Sequence, residues 1–220
     1  RSGKRGIHGA RLTRWWWTAA GASLPNRPMD TRHFLGSAAL AGLWPVAGVS
    51  AAEPARGGPG LLTVSGMVGK TNRGPVDPAL DQLMVKHGVK FDRAYVLDAE
   101  ALGRLPAVGI KATLEYDARL HAHAGPLLAS VLEVAGVTGD VMLGLRAVDG
   151  YVVPLRLADA RSWRMIVATE MDGKPLALGG LGPQWAIYEA DTLAAFKDKP
   201  LKERFALCPW GLYSIEVSRA

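Results

Sequence analysis

The sequence is poor in cysteine and, beyond its N-terminal quarter, carries no net charge. Its 220 residues include one cysteine, Cys208, which excludes an intrachain disulfide framework and a CxxC-type metal site. Residues 1–52 hold seven Lys/Arg and one Asp, whereas residues 53–220 hold 19 Lys/Arg and 19 Asp/Glu. The formal charge of +6 therefore belongs to the N-terminal segment. A nucleic-acid-binding domain needs a basic face, so we expect no nucleic-acid partner.

Two common catalytic motifs are also absent. The stretch Gly179-Gly180-Leu181-Gly182 is flexible, but no helix pattern follows it, so the helix N-terminus that would hold a phosphate is lacking. The serines after residue 52 lie in no nucleophile elbow, and a hydrolase triad has no support. A hydrophobic content of 49% nevertheless excludes wholesale disorder and can supply a sizeable core.

The N-terminal segment has the pattern of a secretory signal peptide. After Met29 come a short basic region with Arg32 and His33, an apolar run over residues 34–49, and the small residues Ser50-Ala51-Ala52. Glycines and a proline interrupt the run, which disfavours a spanning helix. We expect a periplasmic or secreted protein without a stable membrane span in its mature form. A membrane anchor or an ordinary buried helix are the alternatives.

These features predict four segments in the chain. They are an upstream, non-native extension over residues 1–28, a signal peptide over 29–52, a loose mature N-terminus over 53–60, and a folded domain over 61–220.

The pattern of the folded segment predicts an α+β domain with a mixed β-sheet. Apolar alternation predicts about eight strands, at residues 61–68, 91–97, 110–116, 141–147, 151–157, 165–169, 185–188 and 210–217. Capping signals predict short helices that begin at Asp77-Pro78, Asp98, Pro126 and Asp191.

Turn residues add detail to this prediction. Asp149-Gly150 and Asp172-Gly173 are typical of hairpin turns. Pro154 lies inside a predicted strand and cannot donate a ladder hydrogen bond, which predicts a sheet edge or a bulge there. Gly136 predicts the end of the helix that starts at Pro126.

The residues with the clearest chemistry are two histidines and the cysteine. His121 and His123 form an H-x-H pair, whose rings point to the same side only if the backbone is extended. Zinc needs three or four ligands, and Glu115, Asp117 or His87 could complete such a site after folding. The alternative is a polar loop between a strand and a helix. Cys208 is either a reactive thiolate and soft-metal ligand or, given its apolar neighbours, an inert structural thiol.

Several motifs resemble the molybdopterin-binding domain of the sulfite oxidase family. They are Asp149-Gly150-Tyr151, Asp172-Gly173-Lys174-Pro175-Leu176, and the W-x-L-x-x-I-x-V pattern of residues 210–217. The resemblance covers about residues 61–218. It implies a sulfite-oxidase-type α+β fold, a molybdopterin cofactor and oxidoreductase chemistry at a molybdenum bound by a cysteine thiolate.

The sequence departs from the family at the positions that hold this cofactor. The family's cysteine would fall in residues 114–117, where Leu-Glu-Tyr-Asp stands, and no arginine is present in residues 182–185. Pro209 replaces the family's lysine. Arg119, His121 and His123 lie where the metal-ligand region would be and are candidates to bind the cofactor in its place, with Cys208 as a candidate metal ligand.

Two hypotheses follow from the resemblance and its departures. In the first, the protein is an exported molybdopterin-dependent oxidoreductase with altered ligation. In the second, it is a degenerate, non-catalytic module of the same fold that binds no cofactor and instead binds a small-molecule ligand, or a periplasmic redox or sensor protein.

Overall fold

The computed structural model describes residues 57–220, and the predictions made for residues 1–56 lie outside them. The described part contains eleven strands and four α-helices. The strands are β1 (Leu62–Gly66), β2 (Ala94–Leu97), β3 (Ala107–Thr113), β4 (Leu120–Pro126), β5 (Val141–Ala147), β6 (Val152–Arg156), β7 (Ile166–Ala168), β8 (Glu170–Met171), β9 (Lys174–Pro175), β10 (Trp185–Ile187) and β11 (Leu212–Arg219). The helices are α1 (Gln82–Lys86), α2 (Ala99–Gly103), α3 (Leu128–Val134) and α4 (Leu157–Ser162).

A five-stranded mixed sheet forms the larger part of the core, in the order β2-β1-β11-β5-β6. β1 and β11 are parallel, and the other pairs are antiparallel. Every second residue of β5 is buried, as expected for a strand with one face on the core. Pro154 lies in β6, the edge strand, which confirms the prediction made from its missing N–H group.

A second, four-stranded sheet has the order β3-β4-β8-β9 and is antiparallel throughout. The two-stranded pair β7–β10 packs beside it, and Trp185 in β10 is buried. Gly125 in β4 allows this close packing, because a Cβ atom there would lie 2.0 Å from the Val167 carbonyl oxygen. The domain is therefore of the α+β class, as predicted.

The two turn predictions, the cap at Asp98 and the helix end at Gly136 are confirmed. Asp149-Gly150 connects β5 to β6, and Asp172-Gly173 connects β8 to β9. The Asp98 carboxylate accepts a 2.7 Å hydrogen bond from the Ala101 N–H and caps α2. Gly136 follows α3 with a φ of +74°, a conformation that glycine adopts without strain.

One predicted helix begins later than predicted, and another is wrong. Asp77-Pro78 does not open α1, because the Asp77 carboxylate accepts hydrogen bonds from two backbone N–H groups of a separate turn; α1 begins at Gln82. Met84 is the buried residue of α1, and Leu80, in the turn before the helix, is 81% exposed. The segment 191–196 forms turns, because the Asp191 carboxylate binds the Thr113 N–H and the Arg204 guanidinium instead of capping a helix.

Strand β3 also ends earlier than predicted. It stops at Thr113, and residues 115–117 form a turn. None of the helices between residues 57 and 220 is long and apolar enough to cross a membrane.

Candidate functional site

Three distant segments of the chain meet at a small, half-enclosed cavity of about 180 Å³. We call it the aromatic recess, because four of its lining side chains are aromatic. It is lined by Glu115, Tyr116, Ala147, Asp149, Tyr151, Lys202, Phe205, Ala206, Cys208, Pro209 and Trp210. Its volume suits a small molecule rather than a drug-sized ligand, whose pocket is typically about 300–1,000 Å³.

The floor of the aromatic recess is held in place by strand β10. The indole Nε1–H of Trp185 donates a 2.8 Å hydrogen bond to the Cys208 carbonyl. The Ala186 N–H donates to the Pro209 carbonyl at 3.2 Å, and the Cys208 N–H donates to the Phe205 carbonyl at 2.9 Å. Because Trp185 is fully buried, this segment is fixed to the core of the domain.

Cys208 contributes a neutral thiol to this floor. Its residue is 4% exposed, and burial raises the pKa of the thiol to about 12. The thiolate, which is the nucleophilic and metal-binding form, is therefore scarcely populated near neutral pH. This environment corresponds to the inert structural cysteine of the two alternatives.

Glu115 and Tyr116 form one wall of the recess, in the turn that follows β3. The turn is closed by hydrogen bonds from the Leu114 N–H to the Arg119 carbonyl and from the Ala118 N–H to the Leu114 carbonyl. Tyr116 is 57% exposed. Burial of its inner part, and then the nearby Glu115 carboxylate, raise the pKa of the Tyr116 phenol.

Tyr151 forms a second wall of the recess, immediately before the second strand of the β5–β6 hairpin. Its backbone N–H donates a 2.9 Å hydrogen bond to the Asp149 carboxylate, and its hydroxyl donates to the Ala206 carbonyl at 3.0 Å. These contacts fix both ends of the residue. The ring is nevertheless 54% exposed, so a preorganised aromatic surface faces the solvent.

His121 stabilises the turn that carries the first wall. Its Nε2 lies 3.0 Å from an Asp117 carboxylate oxygen, and its Nδ1 lies 2.6 Å from one of Asp172. Hydrogen bonds to Asp172 and then Asp117 raise the pKa of His121. We call these three residues the His121 clasp, which ties the turn after β3 to the β8–β9 turn.

His123 has opposite surroundings. It is 1% exposed, and neither ring nitrogen has a hydrogen-bond partner. Its ring packs edge-on against Trp185 at a centroid distance of 5.4 Å. Burial lowers the pKa of His123 to about 4, so the ring is neutral near pH 7.

A wider groove of about 520 Å³ runs over the second sheet. His123 borders it, but His123 pairs with the buried Ile110, so its ring lies on the opposite, buried face of the sheet. The groove-facing residues of β3 and β4 are Lys111 and small residues such as Ala122 and Ala124, and the groove is also lined by Glu170 and Glu189. Ala122 and Ala124 themselves provide no polar side chain that could orient a ligand.

The predicted site residues therefore do not form one site. His121 and His123 lie in strand β4, so the expectation of a polar loop is wrong, and the extended backbone required for an H-x-H pair is present. Both His121 nitrogens are engaged by carboxylates. Arg119 is exposed in the turn before β4. Within residues 57–220, no three His, Cys, Asp or Glu side chains are grouped so that they could hold a metal ion.

Sequence reasoning missed the two tyrosines that form the walls of the recess. Tyr151 belongs to the Asp-Gly-Tyr motif, so the signal was present in the sequence, although we used it only as a turn and family marker. Tyr116 carried no signal of its own. Its role depends on the end of β3 at Thr113, three residues before the predicted strand end.

The residues present do not fit a molybdopterin site of the sulfite oxidase type. That site needs a thiolate, and the thiol of Cys208 is buried and protonated. It also needs cationic side chains for an anionic cofactor, but Lys202 is the one cation among the lining residues, together with the acidic Glu115 and Asp149. The recess therefore differs from a site of that type both in its metal-binding atoms and in its charge.

No protein-family model matches the chain, and no curated protein matches it.

Proposed function

We propose that this protein is a non-catalytic ligand-binding domain and that the aromatic recess is its binding site. The observation that carries the proposal is a pair of exposed aromatic side chains, Tyr116 and Tyr151, above a floor fixed to the core. Exposed aromatic surface beside a rigid concave floor is favourable for binding, because a ligand buries apolar area there at little entropic cost.

The neutral thiol supports binding rather than catalysis at this site. Cys208 is the one thiol of the recess, and its raised pKa suppresses the reactive thiolate. Tyr116 also has a raised pKa, so its phenol stays protonated. With the Cys208 thiol and the Tyr116 phenol both protonated, the recess can recognise a ligand without transforming it.

We also propose that the fold is of the sulfite-oxidase type and that the protein is exported. The positions of the family-like motifs support the fold: Asp149-Gly150 and Asp172-Gly173 form hairpin turns, and residues 212–217 lie in the central strand β11. The signal-like pattern of residues 29–52 supports a periplasmic or secreted location.

Ligand screening of the full chain tests the binding proposal. Thermal-shift assays and tryptophan fluorescence with a library of small cations, anions and neutral compounds should reveal stabilising ligands, with Trp210 as a reporter in the recess. Replacing Tyr116 and Tyr151 by Ala should abolish their effect. The control is Leu80→Ala, which removes a more exposed apolar side chain outside the recess.

Metal analysis separates this proposal from the redox hypothesis. The full chain is expressed in a host that makes the molybdenum cofactor and is purified without chelators. Stoichiometric molybdenum or pterin in the purified protein would contradict a non-catalytic role. If neither is bound and no ligand of any class stabilises the protein, the ligand-binding proposal is also wrong.

A further inference from the structure

The carboxylate of Glu115 lines the aromatic recess without a cation of its own. The residue is half-buried, and within the part of the chain that the structure describes it forms no salt bridge. A half-buried carboxylate loses part of its hydration, and an opposite charge nearby compensates for that loss. The recess therefore offers an acceptor for a cation.

The aromatic rings around this carboxylate favour the same kind of ligand. Tyr116, Tyr151, Phe205 and Trp210 line the recess. The faces of aromatic rings carry a negative quadrupole that attracts organic cations, and cages of such rings recognise quaternary ammonium groups. Asp149 adds a second carboxylate to the lining. The aromatic rings and the two carboxylates therefore both favour a positively charged ligand.

We infer that the aromatic recess binds a small organic cation, of the alkylammonium or quaternary ammonium class. This inference rests on the proposed function and specifies its ligand. The volume of about 180 Å³ accommodates an ammonium head group with a few carbon atoms. A bare metal cation is disfavoured, because no set of three ligating side chains converges within residues 57–220.

Lys202 provides a test of whether the ligand of the recess is positively or negatively charged. It is exposed and lines the recess together with Glu115. A bound cation is repelled by the Lys202 ammonium group, whereas a bound anion is attracted by it. Removing the charge of Lys202 must therefore strengthen the binding of a cation and weaken the binding of an anion.

The experiment compares two probes that have the same shape and differ in charge. Choline and its neutral carbon analogue 3,3-dimethylbutan-1-ol are titrated into the full chain by calorimetry at low ionic strength. We expect choline to bind at least about tenfold more tightly than the alcohol, the ratio that a partly desolvated cation–π site provides. Acetate is the anionic probe, and we expect no binding.

Two charge variants, each checked for an unchanged melting temperature, complete the design. Glu115→Gln keeps the shape of the side chain and should weaken choline binding about tenfold, whereas Lys202→Met should strengthen it several-fold. Equal binding of the alcohol, binding of acetate, or weaker choline binding in Lys202→Met would each overturn the cationic class and leave a ligand-binding recess in place. If no probe binds and library screening also finds no ligand, the proposed function fails as well.

Discussion

His121 and His123 lie two residues apart on the same side of strand β4, but their environments shift the two ring pKa values in opposite directions. The pKa of His121 is raised, because its ring lies between the carboxylates of Asp172 and Asp117. The pKa of His123 is lowered to about 4, because its ring is buried without a polar partner. The stability of the domain should therefore depend on pH through two separate groups of opposite sign.

The His121 clasp should lose stability as the pH rises. A group whose pKa is raised by folding contributes stability that is fully present below its unfolded value of 6.5 and is lost as the pH rises through the folded value. We expect His121→Asn to lower the melting temperature at pH 6 and to have a smaller effect at pH 9, because less of the imidazole is charged at the higher pH. Thermal melts from pH 5 to 9 measure this difference; an equal effect at both ends would contradict the charged clasp.

The same variant should affect the aromatic recess. The Asp117 carboxylate of the clasp belongs to the turn that carries Glu115 and Tyr116. Loss of the clasp should loosen that turn and weaken ligand binding without removing any lining residue. We expect the affinity of the wild-type protein for its ligand to fall from pH 6 to pH 9 and that of His121→Asn to change less. Titrations at the two pH values test this coupling.

His123 should destabilise the protein as the pH falls. Between pH 6.5 and about 4 the His123 imidazole is protonated in the unfolded chain but remains neutral in the folded protein. The stability that is present above pH 6.5 is therefore lost as the pH falls. A pKa of about 4 for His123 corresponds to a decrease in the free energy of unfolding on the order of 3 kcal/mol near pH 4. His123→Phe keeps a ring against Trp185 and removes this loss. We expect a higher melting temperature than wild type at pH 5 and a smaller gain at pH 8; the reverse order would contradict a buried neutral imidazole.

The parts of the fold that sequence analysis predicted correctly depend on local chemistry. The Asp149-Gly150 and Asp172-Gly173 turns and the edge position of Pro154 follow from backbone properties of single residues. The parts that it missed depend on contacts between distant segments. Asp191 resembles a helix cap, but its carboxylate binds the Thr113 N–H, 78 residues earlier in the chain.

The candidate site was less predictable for the same reason. Tyr116, Tyr151 and Trp210 come from three segments that meet only after the two sheets have packed. The H-x-H spacing correctly predicted that His121 and His123 lie on the same face if the backbone is extended. The Asp117 and Asp172 carboxylates that flank His121, however, belong to two turns outside this strand. Spacing along a strand determines the side on which a ring lies, whereas its protonation depends on neighbours that are remote in sequence.

Cys208 should be unreactive in the folded protein. The thiol is buried and its pKa is raised to about 12, so both access and thiolate concentration are low at pH 8. We expect no reaction of the native chain with Ellman's reagent over minutes and one thiol per chain after unfolding in guanidinium chloride. Rapid stoichiometric labelling of the native protein would instead indicate an accessible thiolate at the floor of the recess.

Gly125 and Gly109 provide a test of the packing between β4 and β7. The two glycines lie on the adjacent strands β4 and β3. A Cβ atom at Gly125 would lie 2.0 Å from the Val167 carbonyl oxygen and 2.8 Å from the Ala168 Cα, whereas one at Gly109 would meet nothing within 4 Å. Gly125→Ala must displace backbone rather than a flexible side chain, and we expect it to destabilise the domain by about 3 kcal/mol, at the upper end of overpacking penalties.

Gly109→Ala is the matched control, with the same chemical change in the neighbouring strand. It restricts the unfolded chain and creates no clash, so we expect a change between zero and a gain of about 1 kcal/mol. Denaturant unfolding of both variants followed by tryptophan fluorescence measures the difference, because the buried Trp185 lies in the strand that pairs with β7. Equal stability of the two variants would show that β4 and β7 are not in close contact. It would also contradict the position of Trp185, which pairs through β10 with β7 and holds the floor of the aromatic recess.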